Sequence, residues 1–516
     1  MIATLPSPGG LATEALGALG VIAALALVMR RDARAFPVLA VLALPFRLPI
    51  STDGRTVNLL LPLYAVVVAG TLVHLVPRLL ACARDSVPFR VLRHKVPTHP
   101  TPHGGGREGG RYGAYDSRRP PILLDWLLLA TVVLYAVQTG YSTDLSKGAQ
   151  NLVFFYVPFA LLYVLLREAP WTPRLVLACL AAAVGLAVAF AGVGFVEYYR
   201  KALFLNPKVV AANEYANYFR VNSLFFDPSI YGRFLALVMI AVSTVVLWSR
   251  RRREQLIGAG VLAWLMVGLV TSFSQSSIAA LLLGLAVLAA WRWDVRATVY
   301  VSVAIAAIAA IAVLAAPASL HFGLKGSGGS ANNATSGRAK LISGGVELFA
   351  QRPLSGYGSG SFETEYKHHG KNTTAANATS ASHTIPVTVA AEQGIVGLAL
   401  YVALLVVAFL TLFSGAGRSP PRPKPGDTRL TEAGRHSLTL ASPVRPASPF
   451  RPAIAACFAA LVLHTWVYAD FLEDPVTWTL LGIGVALGAM RGGDFVGDNV
   501  ASSSEGPPSS PVASRG

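Results

Sequence analysis

The chain has 516 residues, of which 53% are hydrophobic and 13% charged, and its formal net charge is +17. This composition excludes an ordinary soluble protein, because too little polar surface is available to cover so much apolar material. The basic residues cluster between apolar runs, as membrane topology requires, which argues against nucleic acid as a partner. Three cysteines, two of them inside apolar runs, indicate neither an external disulfide nor a metal cluster.

Apolar runs dominate the chain from its first residues onward. A spanning helix needs about 17 to 25 mostly apolar residues, and about thirteen runs approach that length. They lie near residues 11–29, 36–50, 58–80, 122–141, 150–166, 175–198, 229–248, 256–272, 276–291, 297–316, 385–413, 452–469 and 474–490. The second and ninth are short enough to be re-entrant. We therefore predict an all-α polytopic membrane protein with about 12 to 13 transmembrane helices.

The first apolar run lacks a basic segment before it and is followed by Arg30 and Arg31. This pattern predicts a spanning helix and not a cleaved signal, so we expect the chain to keep its N-terminus.

Basic residues fall in every second connection, which predicts the orientation of the helices. The basic connections are Arg30 to Arg31, Arg78 to Arg119, Arg167 to Arg174, Arg250 to Arg253, Arg292 to Arg296 and Arg418 to Arg451. We expect these segments to be cytoplasmic. The N-terminus and the connections 51–57, 142–149, 199–228, 273–275, 317–384 and 470–474 would then lie outside, with the C-terminus inside.

The chain divides into apolar and polar segments. Residues 1–83 hold N-terminal helices, 122–316 a transmembrane core, 385–413 one helix and 452–490 a C-terminal hairpin. Residues 84–121, 414–451 and 491–516 are rich in Pro, Gly, Arg and Ser, which is typical of disorder. Residues 317–384 form a large extracytoplasmic loop.

Within this loop, Ile342, Val346 and Phe349 at helical spacing predict an amphipathic helix from about Ser336 to Gln351, with its apolar stripe on the membrane surface. Pro353 would end it. The following segment, Gly356 to Gly360, favours tight turns; a phosphate cradle is the weaker alternative, because no strand precedes it.

Three segments resemble the O-antigen ligase and polymerase superfamily. They are "FRVNSLFFDPSIYGRFLAL", "LVTSFSQSSIAALLLGL" and "SGRAKLISGGVELFAQRPLSGYGSGSF" followed by "SHTIPVTVAAEQGIVGLALYVALL", and together they cover about residues 150 to 410. The resemblance implies a bacterial plasma-membrane enzyme that moves a glycan from a polyprenyl-diphosphate carrier to a hydroxyl of an acceptor glycan or lipid outside the membrane. It implies no cofactor, no metal and no nucleotide sugar, and it does not separate ligase from polymerase.

The same resemblance implies roles for four residues. His383, at the junction between the loop and the next helix, would be the general base, since an imidazole pKa suits proton abstraction near neutrality. Arg220 and Arg338 would bind the diphosphate, with Arg233, inside an apolar run, behind them. The sequence departs from the family at Gln275, where an arginine is often found, so that arginine's role is not carried over. It departs again at Thr384, where an asparagine is often found.

Each assignment has a structural alternative. His383 could cap or pack at a helix entry, and Arg220 and Arg338 could be interfacial anchors. Asp227 before Pro228 suits helix initiation.

Several carboxylates and histidines also require a structural interpretation. Glu392 is rotated by about 180° from His383 on a continuous helix, so we expect it to meet another helix. Asp470, Glu473 and Asp474 could supply a rival base or bind a cation, but such groups are more often solvated loop acids. A zinc set of His368, His369 and His383 lacks typical ligand spacing.

Two other functions stay open. A transporter or flippase of lipid-linked sugars would need ionisable groups at the midplane and often carries internal repeats, neither of which is prominent. A non-catalytic envelope assembly protein would tolerate substitution of the polar loop residues.

Overall fold

The computed structural model describes residues 8–52, 55–80, 122–204, 213, 219–293, 295, 296, 298, 300, 330–369, 382, 384–413, 449–468 and 470–489. These residues form a helical bundle with one β-hairpin. The helices are α1 (Pro8–Arg31), α2 (Ala35–Ala43), α3 (Leu61–Leu80), α4 (Leu123–Thr139), α5 (Leu145–Glu168), α6 (Pro173–Arg200), α7 (Pro228–Trp248), α8 (Arg252–Thr271), α9 (Gln275–Arg292), α10 (Ser330–Gln351), α11 (Phe362–His369), α12 (Ile385–Phe413), α13 (Phe450–Val467) and α14 (Pro475–Ala489). The strands are β1 (Leu48–Thr52) and β2 (Arg55–Leu59).

The helices confirm the predicted class of all-α polytopic membrane protein. Among the described residues, eight helices are long and apolar enough to cross a membrane, namely α3, α5, α6, α7, α8, α9, α12 and α13. Two shorter apolar helices, α4 and α14, also match predicted runs. The tenth run, 297–316, and the polar segments 84–121, 414–451 and 491–516 lie wholly or mostly outside the described residues.

The second apolar run does not form a spanning helix. Its helical part, α2, has nine residues and is about 14 Å long at 1.5 Å per residue, less than half the thickness of a hydrocarbon core. The chain then turns into β1, which pairs antiparallel with β2 so that Thr52 lies opposite Arg55. Apolar composition alone does not determine how long a helix becomes, and here the chain forms a short helix followed by a hairpin.

The centre of the bundle is formed by α7 and α13. About two thirds of the apolar window of each helix is buried inside the protein, a larger share than in the other long helices of the described chain. Small residues permit close packing around them: a Cβ at Gly284 of α9 would lie 2.2 Å from Ile240 Cδ1 of α7. As predicted, α7 begins at Pro228, with Asp227 Oδ1 accepting from the Ser229 amide at 2.6 Å.

Charged residues from two predicted cytoplasmic connections and from the start of α4 meet at one end of the bundle. Arg78 pairs with Glu168, and Arg167 Nη2 lies 3.1 Å from Asp125 Oδ2. The Tyr163 hydroxyl donates to the other oxygen of Asp125 at 2.5 Å. Two of the predicted basic connections therefore lie at the same end of the bundle, and the orientation in the membrane stays a prediction.

The predicted amphipathic helix of the loop is α10, and it ends at Gln351 as predicted. α10 stops at Gln351, two residues before Pro353, but it begins at Ser330, six residues earlier than predicted. Of the predicted stripe, Ile342 and Val346 are exposed. The neighbouring face is buried through Leu341 and Leu348, which pack with Tyr357, Phe362 and Ala391.

Candidate active site

The loop after α10 is fastened to the broken helix α12. The glycine turn, residues Gly356 to Gly360, donates two backbone hydrogen bonds to α12, from Tyr357 N to Ala391 O at 3.2 Å and from Gly358 N to Glu392 O at 2.8 Å. α12 has a non-helical residue at Gly394, with φ of 65°, and the next amide, Ile395 N, donates to Pro353 O at 2.7 Å. The kink thus exposes backbone groups to which the loop binds.

The Glu392 carboxylate binds the glycine turn. Its Oε2 accepts from Gly360 N at 2.9 Å and its Oε1 from Phe362 N at 3.1 Å. The expectation that Glu392 meets another helix is therefore met in part: one oxygen binds the turn at Gly360, and the other binds the amide of Phe362, the first residue of α11. The turn amide of Gly360, which a phosphate cradle would need, is occupied by this carboxylate, and this supports the turn interpretation of the glycines.

The three glycines of the turn have φ values of 66°, 97° and 79°. At Gly358 a Cβ would lie 2.3 Å from Ser142 Cα, in the segment before α5, so the turn needs both the conformation and the space of glycine.

We expect Gly358→Ala to lower the free energy of unfolding by about 1 to 3 kcal/mol from backbone strain, with a further loss from the contact at Ser142. The matched control is Gly185→Ala in α6, where a Cβ would meet nothing within 4 Å and alanine favours the helix. Thermal unfolding in detergent compares the two. Equal stability of both variants would mean that the turn is not rigidly docked.

A polar cavity of about 70 Å³ lies beneath the glycine turn. α5 contributes to it at a π-helical turn, Leu152–Tyr156, which directly follows Asn151. The cavity is lined by Tyr135, Lys147, Asn151, Tyr156, Gly360, Glu363, Ile385, Thr388, Val389, Glu392, Gln393, Tyr401, Asp470, Phe471, Leu472 and Glu473. Polar groups from α4, α5, α12 and the connection between α13 and α14 therefore face one enclosed space.

The acidic connection between α13 and α14 is not a solvated loop, contrary to the preferred sequence interpretation. Asn151 Nδ2 donates to Glu473 Oε1 at 2.9 Å and to the Tyr135 hydroxyl at 3.0 Å. Burial, together with the negative charge of Asp470, raises the pKa of Glu473 to about 7. The next residue, Asp474, is buried on the other side of the connection. Packing between helices, which composition does not encode, encloses both carboxylates.

Asp474 is the partner of Arg233. Arg233 Nη2 lies 2.5 Å from Asp474 Oδ2, and the two side chains are 3% and 2% exposed. Arg47, in the segment before β1, lies 4.0 Å from the other oxygen. An arginine inside an apolar run needs a partner or a polar cavity. Arg233 has such a partner in the carboxylate of Asp474.

A serine turn, residues Thr271 to Ser277, joins α8 to α9 and contacts Arg220 and the helix that carries Arg233. Arg220 Nε donates to Ser272 O at 3.2 Å. A Cβ at Gly232, the neighbour of Arg233, would lie 3.0 Å from Ser272 Oγ. The serine turn, which belongs to the segment "LVTSFSQSSIAALLLGL" of the family resemblance, is thus the point where the Arg220 segment and the Arg233 helix meet.

His464 of α13 lies against the same turn. Its Nε2 is 3.2 Å from Ser276 Oγ and 3.3 Å from Ser277 Oγ, and its side chain is fully buried. Sequence reasoning did not select His464, Asn151 or Lys147. The available signal was that polar and ionisable residues inside or beside apolar runs are costly and commonly functional.

The remaining predicted residues are only partly described. Arg338 lies in the first half of α10, where the helix but not its side chains is described, and His383 lies outside the described residues. The residues on either side of His383 bind the start of α12. Ser382 N donates to Thr388 Oγ1 at 3.1 Å, and Ser382 Oγ donates to Thr384 O at 2.8 Å. Ile385 and Thr388, which follow position 383 in the chain, line the polar cavity.

Taken together, the fold and these buried polar clusters define a polytopic helical membrane protein with a candidate active site beneath its large loop. Residues 260–402, from α8 to the middle of α12, match the family model described as O-antigen ligase. This match confirms the resemblance to the O-antigen ligase and polymerase superfamily and includes the loop, the glycine turn and Glu392. No curated protein matches the chain.

Proposed function

We propose that the protein is a glycosyltransferase of the bacterial plasma membrane that moves a glycan from a polyprenyl-diphosphate carrier to an acceptor hydroxyl on the outer face. The observation that carries this proposal is the O-antigen ligase match over residues 260–402, which spans the same loop that encloses the polar cavity. In this assignment the loop end of the bundle faces outward, opposite the end where Arg78 and Arg167 pair with carboxylates.

The reaction is a displacement at the anomeric carbon. The acceptor oxygen forms a bond to that carbon, the bond from carbon to the diphosphate oxygen breaks, and the lipid diphosphate leaves with the electron pair. His383 takes the proton of the acceptor hydroxyl as general base. No nucleotide sugar and no metal take part in these steps.

Arginine side chains stabilise the leaving diphosphate, the electrostatic contribution that should dominate such a transfer. Arg220 and Arg338 bind its oxygens through their planar guanidinium groups. Arg233 does not bind the diphosphate directly but adds positive charge near it. Arg233 and Arg47 place two positive charges against the single carboxylate of Asp474, so this cluster keeps a net positive charge. Arg220 is supported by its bond to the serine turn.

Loss of the protein should block glycan transfer in cells. We expect lipid-linked glycan to accumulate when the gene is removed, because the donor is still made and displayed but no longer consumed. Extracted lipids analysed by mass spectrometry measure the accumulation, with reintroduced wild-type protein as the control. A deletion strain in which the lipid-linked pool is depleted would favour a role in supplying the donor.

A further inference from the structure

The polar cavity contains an acceptor atom that the protein does not satisfy. Asn151 is 3% exposed, and its Oδ1 has no hydrogen-bond partner although its Nδ2 makes two bonds. A buried amide oxygen left without a donor costs free energy, so such atoms call for an explanation. In a cavity, the simplest explanation is a ligand that donates a hydrogen bond.

The orientation of this amide follows from its neighbour. Above its pKa of about 7 the Glu473 carboxylate is ionised and can only accept hydrogen bonds, so the amide atom 2.9 Å from its Oε1 is the nitrogen. The atom without a partner is therefore the oxygen. Asn151 and Glu473 together offer hydrogen-bond acceptors to whatever enters, while Lys147, on the same wall, offers N–H donors.

The charge of the lining restricts the class of ligand. Four carboxylates line the cavity, from Glu363, Glu392, Asp470 and Glu473, against the one ammonium group of Lys147. Glu473, whose pKa is raised to about 7, is only partly ionised at neutral pH, but the other carboxylates still outnumber the ammonium group. An anionic diphosphate would therefore be repelled there. Tyr135, Tyr156 and Tyr401 supply aromatic surface beside the polar groups. Hydrogen-bond acceptors, an ammonium donor and aromatic rings match a neutral or amino-bearing sugar, which carries several hydroxyls on an apolar ring.

We propose that this cavity binds one sugar unit of the glycan substrates, with Asn151 Oδ1 and Glu473 accepting from its hydroxyls and Lys147 donating to one of them. This inference rests on the proposed function and adds a sugar subsite to it. The subsite is separate from the arginines: Glu473 faces the cavity, while the adjacent Asp474 pairs with Arg233. The bound sugar would adjoin Ile385 and Thr388, which follow His383 in the chain.

The test is a binding measurement that needs no turnover. The probes are two labelled oligosaccharides that lack diphosphate: one released from the lipid-linked donor by mild acid, the other released from the surface glycan of cells without this protein. We expect wild-type protein in nanodiscs to bind at least one of them by fluorescence polarisation. Which probe binds distinguishes the donor glycan from the acceptor glycan as the source of the sugar.

Two variants weaken this binding if the proposal holds. Glu473→Gln keeps the oxygen that accepts from Asn151 but loses the charged acceptor, and Lys147→Met loses the donor; each should raise Kd at least about tenfold. The control, Glu347→Gln, makes the same change on the exposed face of α10 and should leave Kd unchanged. Gel filtration and thermal unfolding check that each variant is folded.

The proposal is overturned if neither oligosaccharide binds wild-type protein while the lipid-linked donor does, or if both folded variants bind as wild type does. Should Glu473→Gln fail to fold, unchanged binding by Lys147→Met is sufficient to reject it. Failure of the proposed function looks different: the oligosaccharide binds and responds to the variants, but the lipid-linked donor is never consumed.

Discussion

His383→Ala is expected to reduce glycan transfer by about 100- to 10,000-fold while leaving donor binding close to wild type. A general base acts on the acceptor hydroxyl in the transition state, so its removal lowers the turnover rate and hardly changes the hold of the arginines on the diphosphate. The comparison is made with lipid-linked oligosaccharide in proteoliposomes, measuring both donor binding and the rate of consumption.

His368→Ala is the matched control, because His368 belongs to the same loop but lies exposed on α11. It should transfer glycan at the wild-type rate. A wild-type rate for His383→Ala would remove the histidine from the chemistry and leave the structural alternative, a residue that packs at the entry to α12. Equal loss in both histidine variants would indicate a general defect of the loop.

Asp474→Ala is expected to destabilise the protein by about 3 to 5 kcal/mol. The substitution leaves the Arg233 guanidinium, only 3% exposed, without its carboxylate in the centre of the bundle. Much of the cost is the buried unpaired charge and not the lost attraction itself. The fraction of folded protein after heating in detergent measures the effect.

A double replacement separates stability from activity. Arg233→Met combined with Asp474→Leu removes both charges, so it should recover most of the stability that Asp474→Ala loses. Glycan transfer should nevertheless stay low, because the positive charge behind the diphosphate is gone. Glu254→Ala, in the exposed pair with Arg251, is the stability control and should cost at most about 1 kcal/mol. Full activity of the double variant would show that Arg233 is purely structural.

The sequence predicted those parts of the fold that depend on local composition. Long apolar runs became spanning helices, Asp227 and Pro228 began α7, and Pro353 followed the end of α10. It failed where tertiary packing decides the conformation. The run 36–50 is as apolar as its neighbours, yet it forms a nine-residue helix and a strand.

The sequence predicted several residues of the candidate site but not the contacts between them. Arg220 and Arg233 were selected separately, and the serine turn contacts both Arg220 and the helix that carries Arg233. The polar cavity joins Asn151 to Glu473 across 322 positions, a pairing that no local pattern encodes. Asp474 looked like a solvated acid because a sequence does not reveal that its short connection is covered by neighbouring helices.

Reconstituted protein gives the most direct measurement of the central claim. Purified protein in proteoliposomes is supplied with lipid-linked oligosaccharide and acceptor, with a chelator present and no nucleotide, and the glycan-bearing product and the released lipid diphosphate are both quantified. We predict that the two products appear in equal amounts and that transfer needs neither metal nor nucleotide. Intact donor that only moves between leaflets, or transfer that stops when the chelator is added, would contradict the mechanism.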